Sequence, residues 1–570
     1  EFRSNNGESR VEFPVNQYIC KMDMFTWFMD QESIEMSKTE TKEINIDTGL
    51  DLVGPNFYSI HPKQDSLQFR APKAKFSLKE KTIYCSKVEY LDIADARIYP
   101  DSMKVTIRKK AVLDRFENSK IVANYITKYH TFQKASVEVL ARRSYKGTGE
   151  YPYYDRDSVA TFIKMESIGL DTSYQTVALG KIEKESNFKL SPEFDYYGQI
   201  SVKAANPSIN FNGATRINHS CEKFEKSWLA FNSEIDPKNI QIPVSSQMKN
   251  LDGGAIAAGI VWRDAANVDS IELYPTFLSA LQDPNDPIVM TSSGFLSYNS
   301  EASEFQIASK EKFINRNGKG NFLALHTQSC SMNGDGIVNL GMDYGDVDVA
   351  TVGVVNYDQS TGKTTMNLTA KFTMPLDQGL FKGVATRIAA VEGLNPMDFN
   401  SNTLEAALVQ WTDQSQADKF KEDYTIKGEV KKIPKELENS IVVTGLRLSS
   451  FSNNPNIKGL ITNVDAAILV NVYDKPVTKY VPMRAFFQQR YSGAVGGDKF
   501  GILIDLPGGL DYFLDYTMSK KDGVLEIVTG DTELSSGISG LKDDKLKTKN
   551  FSYRLGSNSL RTVFNNLFVE

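Results

Sequence analysis

Residues 69–88 read FRAPKAKFSLKEKTIYCSKV, with an apolar side chain at nearly every second position on either side of Lys79-Glu80-Lys81. Successive side chains of a β-strand point to opposite faces, so this spacing predicts two strands that each bury one face. The charged residues between them predict a turn. The stretch therefore favours a β fold and carries no pattern typical of catalysis.

The same rhythm extends from Leu67 to Asn124, where a short apolar run returns about every ten residues. Such spacing is typical of a β-solenoid, whose rungs stack to build one core, and also of a two-sheet sandwich. We favour the solenoid because the units share one form, in which a small apolar residue, a large apolar residue and a polar corner follow in order. The sandwich remains the alternative.

The Pro- and Asp-rich piece Gln282–Pro287 is the best candidate for a boundary between β units. Alternating strands return after it, from Phe295 to Met374, with turns rich in Gly, Asn and Asp. The sequence therefore predicts a second β unit.

One convincing helix is predicted near Asn402, which forms a plausible capping pair with Glu405. Leu404, Leu408 and Trp411 follow at the spacing of one helix face. The predicted fold is mainly β, with elongated β-solenoid or β-jellyroll units, a short helical insertion and an antiparallel C-terminal β region. The predicted segments are 1–285 (solenoid or jellyroll), 286–375 (second β unit), 376–430 (helical insertion) and 431–570 (C-terminal meander).

Composition and charge exclude some classes of function. The net charge of −6 gives no electrostatic reason to expect a nucleic-acid partner. No run of about 18 apolar residues is present, so no membrane-crossing helix is predicted. The chain opens at EFRSNNGESRVEF without Met or a signal segment, from which we expect a mature or partial chain.

A strand that ends near Arg142 and Arg143 leads into a tyrosine-rich segment, which we interpret as a loop. Exposed Tyr and Arg side chains are favoured at protein contact surfaces. The same tyrosines can instead fold back onto the β core, and this alternative stays open. The predicted partner-binding residues are Arg142, Arg143, Tyr145, Tyr151, Tyr153 and Tyr154.

The search for metal ligands and catalytic groups yields no constellation above chance. The four cysteines are far apart and lack a CxxC spacing, so neither a disulfide framework nor a zinc ribbon is indicated. His219-Ser-Cys221 and His326 to Cys330 are the weak candidates for zinc.

Calcium and the catalytic side chains give equally weak signals. Asp335, Asp343, Asp346 and Asp348 offer oxygen atoms for calcium, but no EF-hand loop surrounds them. Only four histidines are present in the chain, and histidine is the most useful acid–base group near neutral pH. We expect a protein that is not an enzyme and binds no cofactor.

The run LQFRAPKAKFSLKEKTIYCSKVEYL, followed by IADARIYPDSMKVTIRKKAVLDRFENSKIVAN, resembles the strand ladder of the OstA/lipopolysaccharide-transport (OstA/LptA-like) β-jellyroll family. Together with ARRSYKGTGEY, FNSEIDPKNIQIPV and GDGIVNLGMDYGDV, this ladder is similar to very large periplasmic proteins of Bacteroidota. One member of that group closes the periplasmic opening of the outer-membrane translocon of the type IX secretion system. The resemblance covers most of the first 350 residues loosely.

The resemblance implies a periplasmic protein, peripheral to the outer membrane, whose partner is an outer-membrane β-barrel translocon protein that it plugs or gates. Taken literally, the jellyroll resemblance implies instead a carrier of lipid or lipopolysaccharide, with acyl chains in an apolar trough. A β-solenoid enzyme acting on polysaccharide is the third hypothesis, for which Asp335, Asp343 and Asp346 would have to converge in a cleft.

Overall fold

The computed structural model is mainly β, as predicted, and its sheets are almost entirely antiparallel. The chain divides into two compact units, of which unit 1 comprises residues 1–218 and 228–241, and unit 2 comprises residues 219–227 and 242–570. The structure describes all residues except 1, 4–8, 39–53, 264–272, 397–401, 429, 431–432, 455–456, 463–466, 469–476, 489–497 and 569–570.

Unit 1 contains the first 21 strands. They are β1 (Phe2–Arg3), β2 (Ser9–Phe13), β3 (Tyr18–Met22), β4 (Met24–Phe28), β5 (Ser33–Ser37), β6 (Phe57–Ser59), β7 (Gln68–Phe69), β8 (Lys73–Ser77), β9 (Thr82–Ser86), β10 (Leu91–Ile93), β11 (Ala96–Tyr99), β12 (Lys104–Ile107), β13 (Phe116–Ala123), β14 (His130–Ala141), β15 (Ser144–Tyr154), β16 (Ala160–Leu170), β17 (Thr176–Ile182), β18 (Lys189–Ser191), β19 (Phe194–Lys203), β20 (Ile209–Ile217) and β21 (Leu229–Ile235).

The stretch that suggested a β fold forms the antiparallel pair β8–β9, in which Ala74 lies opposite Cys85. Ala74, Ile83 and Cys85 are buried, as the alternation predicted. Lys81 closes the turn with a φ of 54°, in the left-handed region. The local prediction of two strands around a charged turn is therefore confirmed.

Three sheets build unit 1. A six-stranded sheet has the order β1-β4-β5-β8-β9-β12, and a four-stranded sheet has the order β2-β3-β6-β7. The two sheets bury apolar side chains against each other, since the rings of Phe13 and Phe76 lie 4.9 Å apart. The third sheet runs from β10 through β11 and β13 to β21, with β18 paired at its side.

Two glycines face each other across β19 and β20 of the third sheet. Gly198 has a φ of 142° and pairs with Gly213. A Cβ on Gly213 would lie 2.7 Å from the Cα of Gly198, so neither position accepts a side chain without a shift. The Tyr196 hydroxyl lies beside both glycines, and the Tyr196 ring packs against Phe211 at a centroid distance of 5.0 Å.

Unit 2 contains the remaining strands and all seven α-helices of the described residues. The strands are β22 (Ile242–Val244), β23 (Ile256–Trp262), β24 (Leu273–Ala280), β25 (Ile288–Thr291), β26 (Gly294–Asn299), β27 (Glu304–Ala308), β28 (Phe322–His326), β29 (Met332–Val338), β30 (Asp348–Asp358), β31 (Lys363–Thr373), β32 (Ser440–Asn454), β33 (Ile457–Thr462), β34 (Ala467–Ile468), β35 (Tyr480–Val481), β36 (Met483–Gln488), β37 (Lys499–Asp505), β38 (Asp511–Ser519), β39 (Asp522–Thr529) and β40 (Phe551–Leu555). The helices are α1 (Lys310–Ile314), α2 (Gln378–Ala390), α3 (Asn402–Trp411), α4 (Gln414–Lys427), α5 (Thr532–Gly540), α6 (Asp543–Leu546) and α7 (Asn558–Asn566).

A fourteen-stranded sheet forms the body of unit 2, in the order β22-β26-β27-β28-β29-β30-β31-β32-β33-β36-β37-β38-β39-β40. It curls, because the rings of Phe372 on β31 and Phe487 on β36 lie 6.1 Å apart although β32 and β33 separate their strands. The predicted C-terminal meander is present as β37, β38 and β39, whereas β40 joins β39 in parallel.

Helices cover both faces of this sheet. Leu404 and Leu408 of α3 share a buried cluster with Val442 of β32, so the predicted apolar stripe is core. On α7, Phe564 packs with Leu503 and Phe513. Helices α2 and α5 lie on the opposite face of β37 and β38.

The piece Gln282–Pro287 connects β24 to β25 inside unit 2. Asp286 is buried there and accepts a hydrogen bond of 2.6 Å from the hydroxyl of Tyr274. The predicted segments 286–375, 376–430 and 431–570 all lie within unit 2, and the first unit ends at residue 241. A turn-rich sequence marks a local chain reversal equally well inside a unit.

Candidate functional site

The predicted partner-binding residues separate into exposed and buried groups. Arg142 and Arg143 form the two-residue turn between β14 and β15, and both are exposed. Tyr154 ends β15 with 54% of its surface exposed. It lies ten residues along the strand from Ser144, a distance of about 33 Å at the usual rise. These three side chains are accessible to a partner, but at two separate places.

The other three predicted residues, Tyr145, Tyr151 and Tyr153, point into the core. Residues 144–154 form a strand rather than the loop that the sequence suggested, so alternate side chains turn inward. The hydroxyl of Tyr153 donates to the Leu190 carbonyl at 2.7 Å. The hydroxyl of Tyr151 lies 3.0 Å from Nδ1 of His130, and burial raises the pKa of Tyr151 to about 12. Their hydrogen bonds are made within the protein.

Tyr145 supports an exposed region through a short chain of hydrogen bonds. Its hydroxyl lies 2.7 Å from Oγ1 of Thr176, which donates to Oδ1 of Asp95 at 2.6 Å. The Thr176 amide also lies 3.0 Å from both carboxylate oxygens of Asp95. Asp95 thus fixes the β10–β11 turn to the start of β17.

Two further segments meet at the same turn. The amide of Ala94 donates to the Arg142 carbonyl at 2.9 Å, and the amide of Tyr125 donates to the Asp95 carbonyl at 2.9 Å. Residues far apart in the chain are therefore neighbours around Asp95.

Arg97 lies over two aromatic rings in this region. Its guanidinium carbon is 3.9 Å from the ring centre of Tyr90 and 5.3 Å from that of Tyr125. Nε and Nη2 donate to the two oxygens of Asp92 at 2.7 and 2.9 Å. The hydrogen bond to Asp92 raises the pKa of Arg97, so the cation is permanent. A paired and stacked guanidinium is held in one orientation.

Arg143, which follows Arg142 in the turn that Ala94 contacts, repeats this arrangement. Its Nε donates to Oδ2 of Asp65 at 2.6 Å, and its guanidinium carbon lies 5.1 Å from the ring centre of Tyr174. We name the region around Asp95 the aromatic–cation surface. It consists of Tyr90, Arg97, Tyr125, Arg143 and Tyr174.

Four members of the aromatic–cation surface, all except Arg143, were not predicted. The signal for Arg97 lay in the strand Ala96-Arg97-Ile98-Tyr99, where Arg97 and Tyr99 alternate with the buried Ala96 and Ile98. The outward face of this strand, which alternates basic and aromatic residues, is the local signal for Arg97. No local signal marks Tyr174, which meets Arg143 only through the fold.

The residues considered as zinc ligands make other contacts in the structure. Cys221 and Cys330 form a disulfide across 109 residues, with their Cα atoms 5.4 Å apart, so their sulfurs are not available as thiolate ligands. The spacing of the cysteines indicated no disulfide framework and left their redox state open, and strand packing brings together these two residues that the sequence separates. Nδ1 of His219 accepts from the Cys221 amide at 3.2 Å.

Among the residues that the structure describes, no group of three or more His, Cys, Asp or Glu side chains could hold a metal ion, and the acidic candidates have separate partners. Asp335 pairs with the buried Lys312 at 2.9 Å and with Arg316. Oδ1 of Asp343 accepts from the Gly345 amide at 2.9 Å, and Asp346 accepts from the Thr548 hydroxyl at 3.1 Å. Asp348 lies 3.9 Å from Lys371. Each carboxylate has its own local partner.

Comparison with protein-family models, with curated proteins and with solved structures found no match. Within the described part of the chain, no helix has both the length and the apolar character needed to cross a membrane.

Proposed function

We propose that this chain is a non-enzymatic periplasmic binding protein that associates with an outer-membrane protein-export barrel and closes its periplasmic opening, as in type IX secretion. The observation that carries the proposal is the aromatic–cation surface of unit 1. Tyr and Arg are the residues that most often dominate binding energy at protein interfaces. Here they are clustered, accessible and attached to a β framework.

The contacts that hold Arg97 in place support binding, in addition to the residue types found at this surface. Asp92 and Tyr90 already hold the guanidinium, so little side-chain entropy is lost when a partner covers it. Arg143, held by Asp65, is preorganised in the same way. A rigid surface of this kind suits a permanent or long-lived contact, which plugging a pore requires.

The disulfide between Cys221 and Cys330 supports the proposed compartment. Disulfides form and persist in oxidising compartments such as the bacterial periplasm, and they are rare in reducing cytosol. We interpret the stacked sheets of unit 1 as an OstA-like jellyroll, a scaffold consistent with this location and with peripheral association at the outer membrane.

The test is recovery of a partner from native membranes with the tagged full-length chain. We expect the wild-type protein to recover an outer-membrane barrel, and the double variant Tyr90→Ala/Arg97→Ala to recover at least tenfold less. Arg108→Ala is the matched control, because Arg108 also pairs with a carboxylate, Asp114 at 2.8 Å, but lies outside the surface. The proposal fails if the wild-type protein recovers no outer-membrane protein.

Lipid carriage is the second candidate, favoured by an apolar crevice of about 180 Å³ between the six- and four-stranded sheets of unit 1. Its lining is entirely apolar and includes Phe2, Phe13, Phe25 and Trp27. Mass spectrometry of lipids in the same purified sample tests it. Acyl chains recovered with the wild-type protein and lost with Trp27→Ala would favour the carrier.

A further inference from the structure

Unit 2 encloses a second apolar space, distinct from the crevice of unit 1. Helices α2 and α5 cover the curled sheet and leave a cavity of about 50 Å³ beneath them. Val384 and Ile388 of α2, Leu514 of β38 and Ile538 of α5 are among the side chains that line it. Almost all of the lining is carbon, which favours an alkyl group over a polar one.

One cation lies at the edge of this cavity. Tyr512 lines the cavity and donates a hydrogen bond to Asp531, which also pairs with Arg387 of α2. Arg387 follows Val384 and Ala385 of the cavity wall along the same helix. The Asp531 side chain thus connects the guanidinium of Arg387 to Tyr512 of the cavity lining.

The second partner of Arg387 is weakly held. Nη1 of Arg387 lies 3.0 Å from Oε2 of Glu533, whose side chain is 78% exposed. An exposed ion pair of this kind is screened by solvent and contributes little to stability. A carboxylate from another molecule can therefore take the place of Glu533 at little cost, while Asp531 keeps its own bond to the guanidinium.

Helices α2 and α5 meet closely above the cavity. A Cβ on Gly537 of α5 would lie 2.6 Å from Cδ2 of Leu380 on α2, so a larger residue at this position would require the Leu380 side chain to move. A typical small-molecule site measures about 300 Å³ or more. A long ligand therefore requires α2 and α5 to separate, with the present cavity accepting the end of its chain.

We propose that unit 2 binds a fatty acid, with the alkyl chain entering the cavity beneath α2 and α5 and the carboxylate replacing Glu533 on Arg387. The apolar lining selects the chain, and Arg387 at the rim selects an anionic head group. Each methylene buried in such a site adds to the affinity, because apolar surface is removed from water. This inference stands apart from the partner contact proposed for unit 1.

The experiment is isothermal titration of the full chain with dodecanoate, and with dodecanol as the uncharged probe. We expect one dodecanoate per chain. Ala385→Leu extends a buried α2 side chain into the cavity and should weaken binding at least tenfold. Ala389→Leu makes the same change at an exposed position of the same helix and should leave binding unchanged.

A gain-of-affinity variant keeps the test independent of any folding defect. Glu533→Gln removes the competing carboxylate from an exposed side chain, so dodecanoate should bind several-fold more tightly and dodecanol should not. The proposal is overturned if dodecanoate does not bind, if Ala385→Leu binds it as the wild type does, or if Glu533→Gln affects both probes alike. Loss of binding in Trp27→Ala would place the ligand in unit 1 and also overturn it.

Discussion

The hydroxyl of Tyr512 on β38 donates a hydrogen bond of 2.8 Å to Oδ2 of Asp531, the residue that begins α5. The same carboxylate pairs with Arg387 of α2, and its Oδ1 accepts the amides of Glu533 and Leu534 at 3.1 and 3.0 Å. Burial opposes ionisation of Asp531, but the hydrogen bonds from Leu534, Tyr512 and Arg387 outweigh it and lower its pKa. One buried carboxylate thus joins the sheet and two helices.

Removing the charge of Asp531 should therefore destabilise unit 2. Asp531→Asn keeps a side chain able to cap α5 but leaves Arg387 without its buried partner, and we expect a loss of about 3 kcal/mol. Arg387→Gln should cost a similar amount. In the double variant the two losses should not add, with a coupling of about 1–3 kcal/mol measured by urea unfolding. Additive losses would show that the pair contributes no interaction of its own.

The cysteines should divide into one disulfide and two protected thiols. Cys20 and Cys85 are free and buried, and burial raises the pKa of Cys20 to about 12. A thiol reagent should therefore modify none of the four cysteines in the native protein, two after denaturation and four after reduction. Two reactive thiols in the native protein would contradict the described burial.

Loss of the disulfide should destabilise unit 2. The bond spans 109 residues, a separation for which cross-link removal costs about 2–5 kcal/mol. Cys221→Ser/Cys330→Ser should show faster hydrogen exchange in peptides of unit 2. The wild-type protein under a reducing agent is the control and should match the variant. Unchanged exchange in both samples would show that the bond adds nothing to stability.

His219 should make the stability depend on pH. Burial, followed by the nearby charge of Lys226, lowers the pKa of His219 from 6.5 to about 4. Between pH 6.5 and pH 4 the unfolded chain binds a proton at His219 that the folded protein does not bind. The stability contributed by neutral His219 is therefore fully present above pH 6.5 and is lost as the pH falls toward 4. The slope is at most about 1.4 kcal/mol per pH unit.

The variant His219→Asn isolates this effect, because it retains an acceptor for the Cys221 amide and removes the titration. We expect the difference in unfolding free energy between wild type and variant to shrink on acidification from pH 6.5 to 4. A difference that stays constant over this range would show that His219 titrates alike in both states.

Gly213 should tolerate no side chain. A Cβ there would meet the carbonyl oxygen of Tyr197 and the Cα of Gly198, which are both backbone atoms. Gly213→Ala should cost about 3 kcal/mol and accelerate hydrogen exchange in β19 and β20. Gly54→Ala is the control, since nothing lies within 4 Å of its Cβ, and it should change stability by less than about 0.5 kcal/mol. Equal effects of the two substitutions would refute the close approach.

What the sequence determined by itself was local. The alternation around Lys79-Glu80-Lys81 specified the hairpin β8–β9, because the two-residue period of a strand depends only on neighbouring residues. The stripe of Leu404, Leu408 and Trp411 specified α3 for the same reason. The cap predicted at Asn402 lies at the edge of the described residues, and nothing is described of that side chain.

Only the tertiary structure decided which distant residues meet. Cys221 finds Cys330, and Arg143 finds Tyr174, through strand order and sheet curvature, which no local spacing encodes. The inward turn of Tyr151 and Tyr153 likewise followed from β15 being a strand whose inner face is covered. The two-residue period of a strand predicts which side chains are buried. Which residues those side chains contact depends on how the sheets pack and curl.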